Sequence, residues 1–98
     1  MKQVAIEFTY CVDIIEVPVD IARRIKKIQW NFDKWLYDKE TNHNCWIIVN
    51  GEKKAVSFDS SDFVDYINVH YLSDRTEKAR IVKLNQTETP ENMPILFF

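Results

Sequence analysis

The chain has 98 residues, 46% of them apolar and 29% charged, with 13 basic against 15 acidic side chains for a formal net charge of −2. That size holds one hydrophobic core, the balance excludes wholesale disorder, and the small negative charge excludes the strongly basic signature of a protein devoted to nucleic acid. A single glycine excludes glycine-rich phosphate loops and dinucleotide fingerprints, which need several glycines at fixed spacing.

From Val4 to Ile14 the side chains alternate. Val4, Ile6, Phe8, Tyr10, Val12 and Ile14 fall on one side, and Ala5, Glu7, Thr9, Cys11 and Asp13 on the other. Period two of this length predicts one long strand with one buried face. The phase slips at Ile15-Glu16-Val17, which predicts a bulge or bend, and Pro18 closes the segment. Glu7 interrupts the N-terminus before a signal-peptide core develops, and no apolar run reaches the roughly 18–20 residues of a membrane span. The expectation is a chain without a leader that stays off membranes.

Asp20 is an N-cap candidate, and Ile21, Ile25, Ile28, Phe32, Trp35 and Leu36 then recur at helical spacing. One helix is predicted from about Ile21 to Tyr37, with neither glycine nor proline to interrupt it. After a polar connection, Cys45-Trp46-Ile47-Ile48-Val49 and Glu52-Lys53-Lys54-Ala55-Val56-Ser57-Phe58 flank Asn50-Gly51. Asn-Gly between β-prone runs predicts a two-residue hairpin, because both turn residues need positive φ. Pairing Val49 with Glu52 places Cys45, Ile47, Val49, Val56 and Phe58 on one face. Trp46, Ile48, Lys53, Ala55 and Ser57 share the other.

Ser60-Ser61-Asp62 offers caps for a second helix with Phe63, Val64, Ile67 and Tyr71 inward. The β-branched and aromatic content of residues 66–71 keeps a strand open as the alternative. Arg80-Ile81-Val82-Lys83-Leu84 reads as the last strand. The order β-α-β-β-α-β predicts an α+β domain over residues 1–88: a four-stranded, mainly antiparallel sheet with two helices on one face, ferredoxin-like in the first instance. Residues 89–98 are expected to form an extended tail with an apolar end, Ile95-Leu96-Phe97-Phe98. That end either adds a strand to its own sheet or inserts into another chain.

Little in the chain suggests chemistry. His43, Cys45, His70 and Cys11 lack the paired spacing of a metal site, and neither cysteine lies in a nucleophile elbow or at a helix N-terminus. No metal, no cofactor, no small-molecule substrate and no catalysis are expected. Cys11 and Cys45 read as reduced thiols of a cytoplasmic protein.

The first helix carries the richer pattern. Turning about 100° per residue puts Trp30 opposite the core, with Arg23, Lys26, Lys27 and Lys34 around it and Tyr37 further along. Residues 21–40 hold six bases and three acids, a net +3, against one base and four acids, a net −3, in residues 1–20. Aromatics among cations suit a protein partner; they also suit stacked bases and phosphates. Lysine stems covering Trp30, or the apolar tail folding over it, are the competing structural explanations. Trp46 and Ile48 on the outer sheet face, and Phe97 and Phe98 at the chain end, are further partner-binding candidates. The expected function is a small non-catalytic protein-interaction module, of inhibitor, immunity or accessory regulatory type, binding a protein partner or a second copy of itself. A nucleic-acid-associated protein is the alternative.

Overall fold

The computed structural model describes all residues 1–98. It is an α+β domain with three helices and a mixed four-stranded sheet. The elements in chain order are β1 (Lys2–Glu7), β2 (Val12–Val17), α1 (Val19–Arg23), α2 (Ile25–Tyr37), β3 (Trp46–Val49), β4 (Glu52–Val56), α3 (Ser60–His70), β5 (Arg80–Gln86) and β6 (Ile95–Phe97). The sheet order is β5-β2-β1-β6, antiparallel except for β6, which runs parallel to β1. The β3–β4 hairpin stands apart as a two-stranded sheet.

The long strand expected over Val4–Ile14 is two strands. The chain reverses at residues 8–11, where the Phe8 N–H donates to the Cys11 carbonyl at 2.9 Å, and β1 then pairs with β2 from Lys2↔Val17 to Glu7↔Val12. A four-residue reversal preserves alternation, so the period-two pattern passed through it unchanged. Tyr10, expected inside, is 96% exposed at this turn. The helix expected over Ile21–Tyr37 is also divided. Arg24 leaves helical geometry at φ −110°, ψ 15°, and its N–H bonds to Ile21 O at 3.0 Å. The joint is held from outside: Arg75 makes a bidentate pair with Asp20 at 2.9 and 2.7 Å, and the Arg24 guanidinium lies 5.8 Å from the Tyr71 ring centre.

The ferredoxin-like arrangement is matched only in part: the sheet has four strands, but one pair is parallel and β3 and β4 do not join it. Glu52-Lys53-Lys54 gives β4 no apolar face to bury, and the two missing places are taken by β2, split from β1, and by β6. The hairpin itself forms at Asn50-Gly51, with φ of 53° and 79°. Its register slips after Val49↔Glu52 and Ile48↔Lys53 to Ile47↔Ala55 and Trp46↔Val56. The extra residue is Lys54, and this bulge sets Val56 across from Trp46 instead of on the Cys45 face.

Residues 60–70 are helical, not extended. The cap is Asp59, one residue before the expected group. Its carboxylate accepts from the N–H groups of Ser61 at 3.0 Å and Asp62 at 3.3 Å, while Asp62 Oδ2 accepts from the Asp59 N–H at 2.9 Å, a reciprocal capping box. That box holds the start of α3 against the competing β propensity.

The main core lies between the helices and the sheet face carrying Val4, Ile6, Ile15 and Val17. Phe32 of α2 is its centre, with ring contacts to Phe63 at 5.2 Å, Tyr66 at 5.1 Å and Phe98 at 6.0 Å. Ala5, Val12 and Ile14 alternate to the opposite sheet face yet are also buried. Residues 87–94 link β5 at one edge to the co-directional β6 at the other. With the helices occupying the first face, this connection crosses the second, and Pro90, Met93 and Pro94 are half-buried along it. Of the two places expected for the apolar end, the structure shows the strand in its own sheet: Ile95–Phe97 pairs with Ala5–Glu7.

One buried carboxylate ties the layers together. Asp13 accepts from Ser60 Oγ at 2.6 Å and from the Asn85 N–H at 2.9 Å. It anchors the start of α3 and the left-handed Asn85 (φ 58°) near the end of β5.

Candidate interaction surface

The side chains predicted around Trp30 are gathered on one surface of the helical layer. Ile25, Ile28, Phe32 and Leu36 bury one stripe of α2, so Trp30, Lys26, Lys27, Lys34 and Tyr37 point away from the sheet. All are exposed, as is Arg23 at the end of α1. Trp30 keeps 53% of its surface in solvent and Tyr37 60%. The Lys27 ammonium lies 4.8 Å from the centre of the Trp30 ring and the Lys34 ammonium 4.4 Å, one from the preceding turn and one from the following.

Electrostatically the surface is unbalanced. The ion pairs of the protein join Arg24 and Arg75 to Asp20, Lys54 to Glu52 and Arg80 to Glu16. None involves Arg23, Lys26, Lys27 or Lys34. Lys27 and Lys34 therefore flank a half-exposed indole, and neither they nor the exposed Arg23 and Lys26 have a carboxylate partner. The border toward the sheet is set by Gln29, which donates to the Phe97 carbonyl at 2.7 Å. This contact was not legible beforehand, because it joins residues 68 positions apart.

The remaining candidates scatter. Trp46 is not on an outer face of the main sheet. It stacks on His43 at 5.2 Å with 7° between the rings, and its Nε1 donates to Thr41 O at 2.8 Å. Lys53 covers it at 5.6 Å and binds Lys39 O and Asn42 Oδ1. Ile48 stays exposed on the separate hairpin. Phe97 is exposed on β6, whereas Phe98 turns inward, its ring 5.8 Å from Phe8, 5.3 Å from Phe58 and 5.4 Å from Phe63.

The histidines and cysteines are divided between two depressions. Trp35, His43, Cys45, Asp62, Tyr66 and His70 line a depression of about 260 Å³, and Cys11 lines a different one beside Asp13 and Ser60. His43 Nδ1 accepts from the Cys45 N–H at 3.1 Å, which leaves Nε2 to carry the proton it donates to Leu36 O at 2.7 Å. With both nitrogens hydrogen-bonded, this ring is a structural strut between α2 and the hairpin. Burial, reinforced by the carboxylates of Asp62 and Asp59, raises the Cys45 thiol to about 11, away from a nucleophile's range. The aromatic rings here pack against one another, Trp35 and Tyr66 at 5.1 Å and Tyr66 and His70 at 4.4 Å. No group of three His, Cys, Asp or Glu side chains is placed to hold a metal ion. No helix is long and apolar enough to cross a membrane.

Set against known proteins, the chain matches no family model, no curated protein and no solved structure.

Proposed function

We propose that this protein is a non-catalytic interaction module that binds an acidic protein surface through the outer face of α2. The observation that carries the reading is Trp30, half exposed with Lys27 and Lys34 on its ring, both free of ion pairs. Tryptophan and arginine anchor protein interfaces, and unpaired cations steer a complementary partner and select against basic ones. Occlusion or bridging of that partner is the proposed mode of action, in the cytoplasm, where two free cysteines are at home.

The alternative, a nucleic-acid-associated protein, would need the Trp30 ring face for base stacking. Ammonium groups from both neighbouring turns approach that ring. The indole N–H has no protein acceptor, which suits a backbone carbonyl of a partner protein.

Affinity purification of tagged wild-type protein from its native extract, compared with the Lys27→Glu/Lys34→Glu variant, tests the reading. A stoichiometric protein retained by wild type and lost by the variant is expected. Retention of the same protein by both would contradict it. Nuclease-sensitive retention, steeply weakened by salt, would favour the nucleic-acid reading instead.

A further inference from the structure

The depression beside Asp13 lies apart from the α2 surface, where the 8–11 reversal, the end of β5 and the start of α3 meet. Its volume of about 390 Å³ falls within the usual range of small-molecule sites, and none of its lining residues belongs to α2. Phe8, Phe58, Ile81 and Leu84 form its apolar walls.

Asp13, on the polar side, is the only charged residue buried in the protein, at 5% exposure. Buried charges are ordinarily paired, yet none of the ion pairs reaches this one. The hydrogen bonds from Ser60 Oγ and the Asn85 N–H take one position on each of its oxygens, and a carboxylate offers about four. A bulge brings the second donor there. Val12 pairs with Gln86 and Ile14 with Lys83, so Leu84 and Asn85 together stand opposite Asp13 alone.

The charge balance selects the ligand. The N-terminus of α3 supplies roughly half a positive charge, against the full charges of Asp13 and of Asp59, the cap residue on the same cavity wall. No lysine, arginine or histidine lines the cavity. The excess negative charge repels an anion and finds no counter-charge in a neutral molecule, whereas a cation supplies the missing partner. Phe8 and Phe58, with ring centres 6.1 Å apart, also favour a cation over an anion. We propose that this cavity binds a primary ammonium group on an apolar stem, the ammonium on Asp13 and the stem against Phe8, Phe58 and Ile81. A free amine and the lysine side chain of a partner protein share that chemistry.

The test is amide NMR of the full chain titrated with benzylammonium, with its neutral counterpart benzyl alcohol, and with Nα-acetyl-lysine methylamide. Saturable shifts at Ser60, Ser61 and Asn85 are expected with the two cations. Benzyl alcohol is expected to bind at least about tenfold more weakly than benzylammonium, the equivalent of one charge-assisted hydrogen bond. Tighter binding of benzylammonium assigns the site to a free amine, and tighter binding of the blocked lysine assigns it to a protein side chain. Asp13→Asn, of the same size without the charge, is expected to weaken benzylammonium binding by a similar factor. Should that variant fail to fold, Leu84→Lys decides. Leu84 is 51% exposed at the rim, and a lysine there sets the protein's own ammonium against the ligand, so weaker binding is expected again. No saturable shift at these amides with either cation, benzyl alcohol binding as tightly as benzylammonium, or undiminished binding by the folded variant each overturns the proposal.

Discussion

Gln29 Nε2 lies 2.7 Å from the carbonyl oxygen of Phe97, joining the middle of α2 to the last strand of the sheet. Leu96 beside it is 1% exposed, and Phe98 packs edge-on against Phe32 in the aromatic core. The chain end is therefore the fourth strand of the domain, and the helix bearing Trp30 is braced against it.

Removal of residues 95–98 takes one buried leucine and one core phenylalanine from the fold and exposes the edge of β1. Urea unfolding is expected to show a loss of at least about 3–5 kcal/mol, the range for a large core truncation. Gln29→Ala, which loses a single exposed hydrogen bond, is expected to cost about 1 kcal/mol or less. A truncated chain as stable as wild type would return the C-terminus to the status of a free tail.

The joint between α1 and α2 gives the fold an acid-sensitive contact. The bidentate hydrogen bonds from Arg75, aided by its charge and by Arg24, hold the Asp20 carboxyl at about 2, below its ordinary 3.8. A depressed carboxyl contributes stability that is fully present above the unfolded value and is lost as pH falls through the folded one. The stability difference between wild type and Asp20→Asn is thus expected to be constant above about pH 5 and to shrink as pH falls through about 4 to 2. Urea midpoints measured from pH 6 downward check this, and a difference undiminished at pH 2 would contradict the pairing.

Thiol labelling distinguishes the two cysteines. Cys45 is buried with its thiol held near 11, so the native protein at pH 8 presents almost no thiolate there. Iodoacetamide followed by peptide mass spectrometry is expected to leave Cys45 unmodified in the native state and to alkylate it in urea. Rapid native alkylation of Cys45 would show that the hairpin opens from α3.

Trp30 should be dispensable for folding, since its ring is held by two lysines and by nothing in the core. Trp30→Ala is expected to unfold within about 1 kcal/mol of wild type, as exposed cation–π contacts and surface substitutions allow. The same change at Phe32 is expected to cost about 3–5 kcal/mol. A comparable loss at Trp30 would make it a core residue.

Local signals were readable from residue types, and long-range ones were not. The Asn50-Gly51 turn, the buried stripe Ile25-Ile28-Phe32-Leu36 and the exposed face around Trp30 depend only on turn chemistry and helical period. The reversal at residues 8–11 was hidden because it preserves strand alternation and uses no glycine, proline or asparagine. The break at Arg24 was hidden because Ile21 and Ile25 keep helical spacing across it, while the Asp20–Arg75 pair that holds it spans 55 positions. The parallel pairing of β6 with β1 joins the two chain ends, which no local window contains. Strand alternation alone puts Trp46 on an open sheet face, because its stack on His43 depends on how the 38–45 connection folds back.

The affinity of the partner protein for wild type and for Trp30→Ala, measured by calorimetry on folded samples, tests the docking reading most directly. A central aromatic anchor predicts a loss of at least about 2 kcal/mol, roughly thirtyfold in Kd, at unchanged fold stability. Equal affinity for the two proteins would contradict it and place the binding surface elsewhere on the molecule.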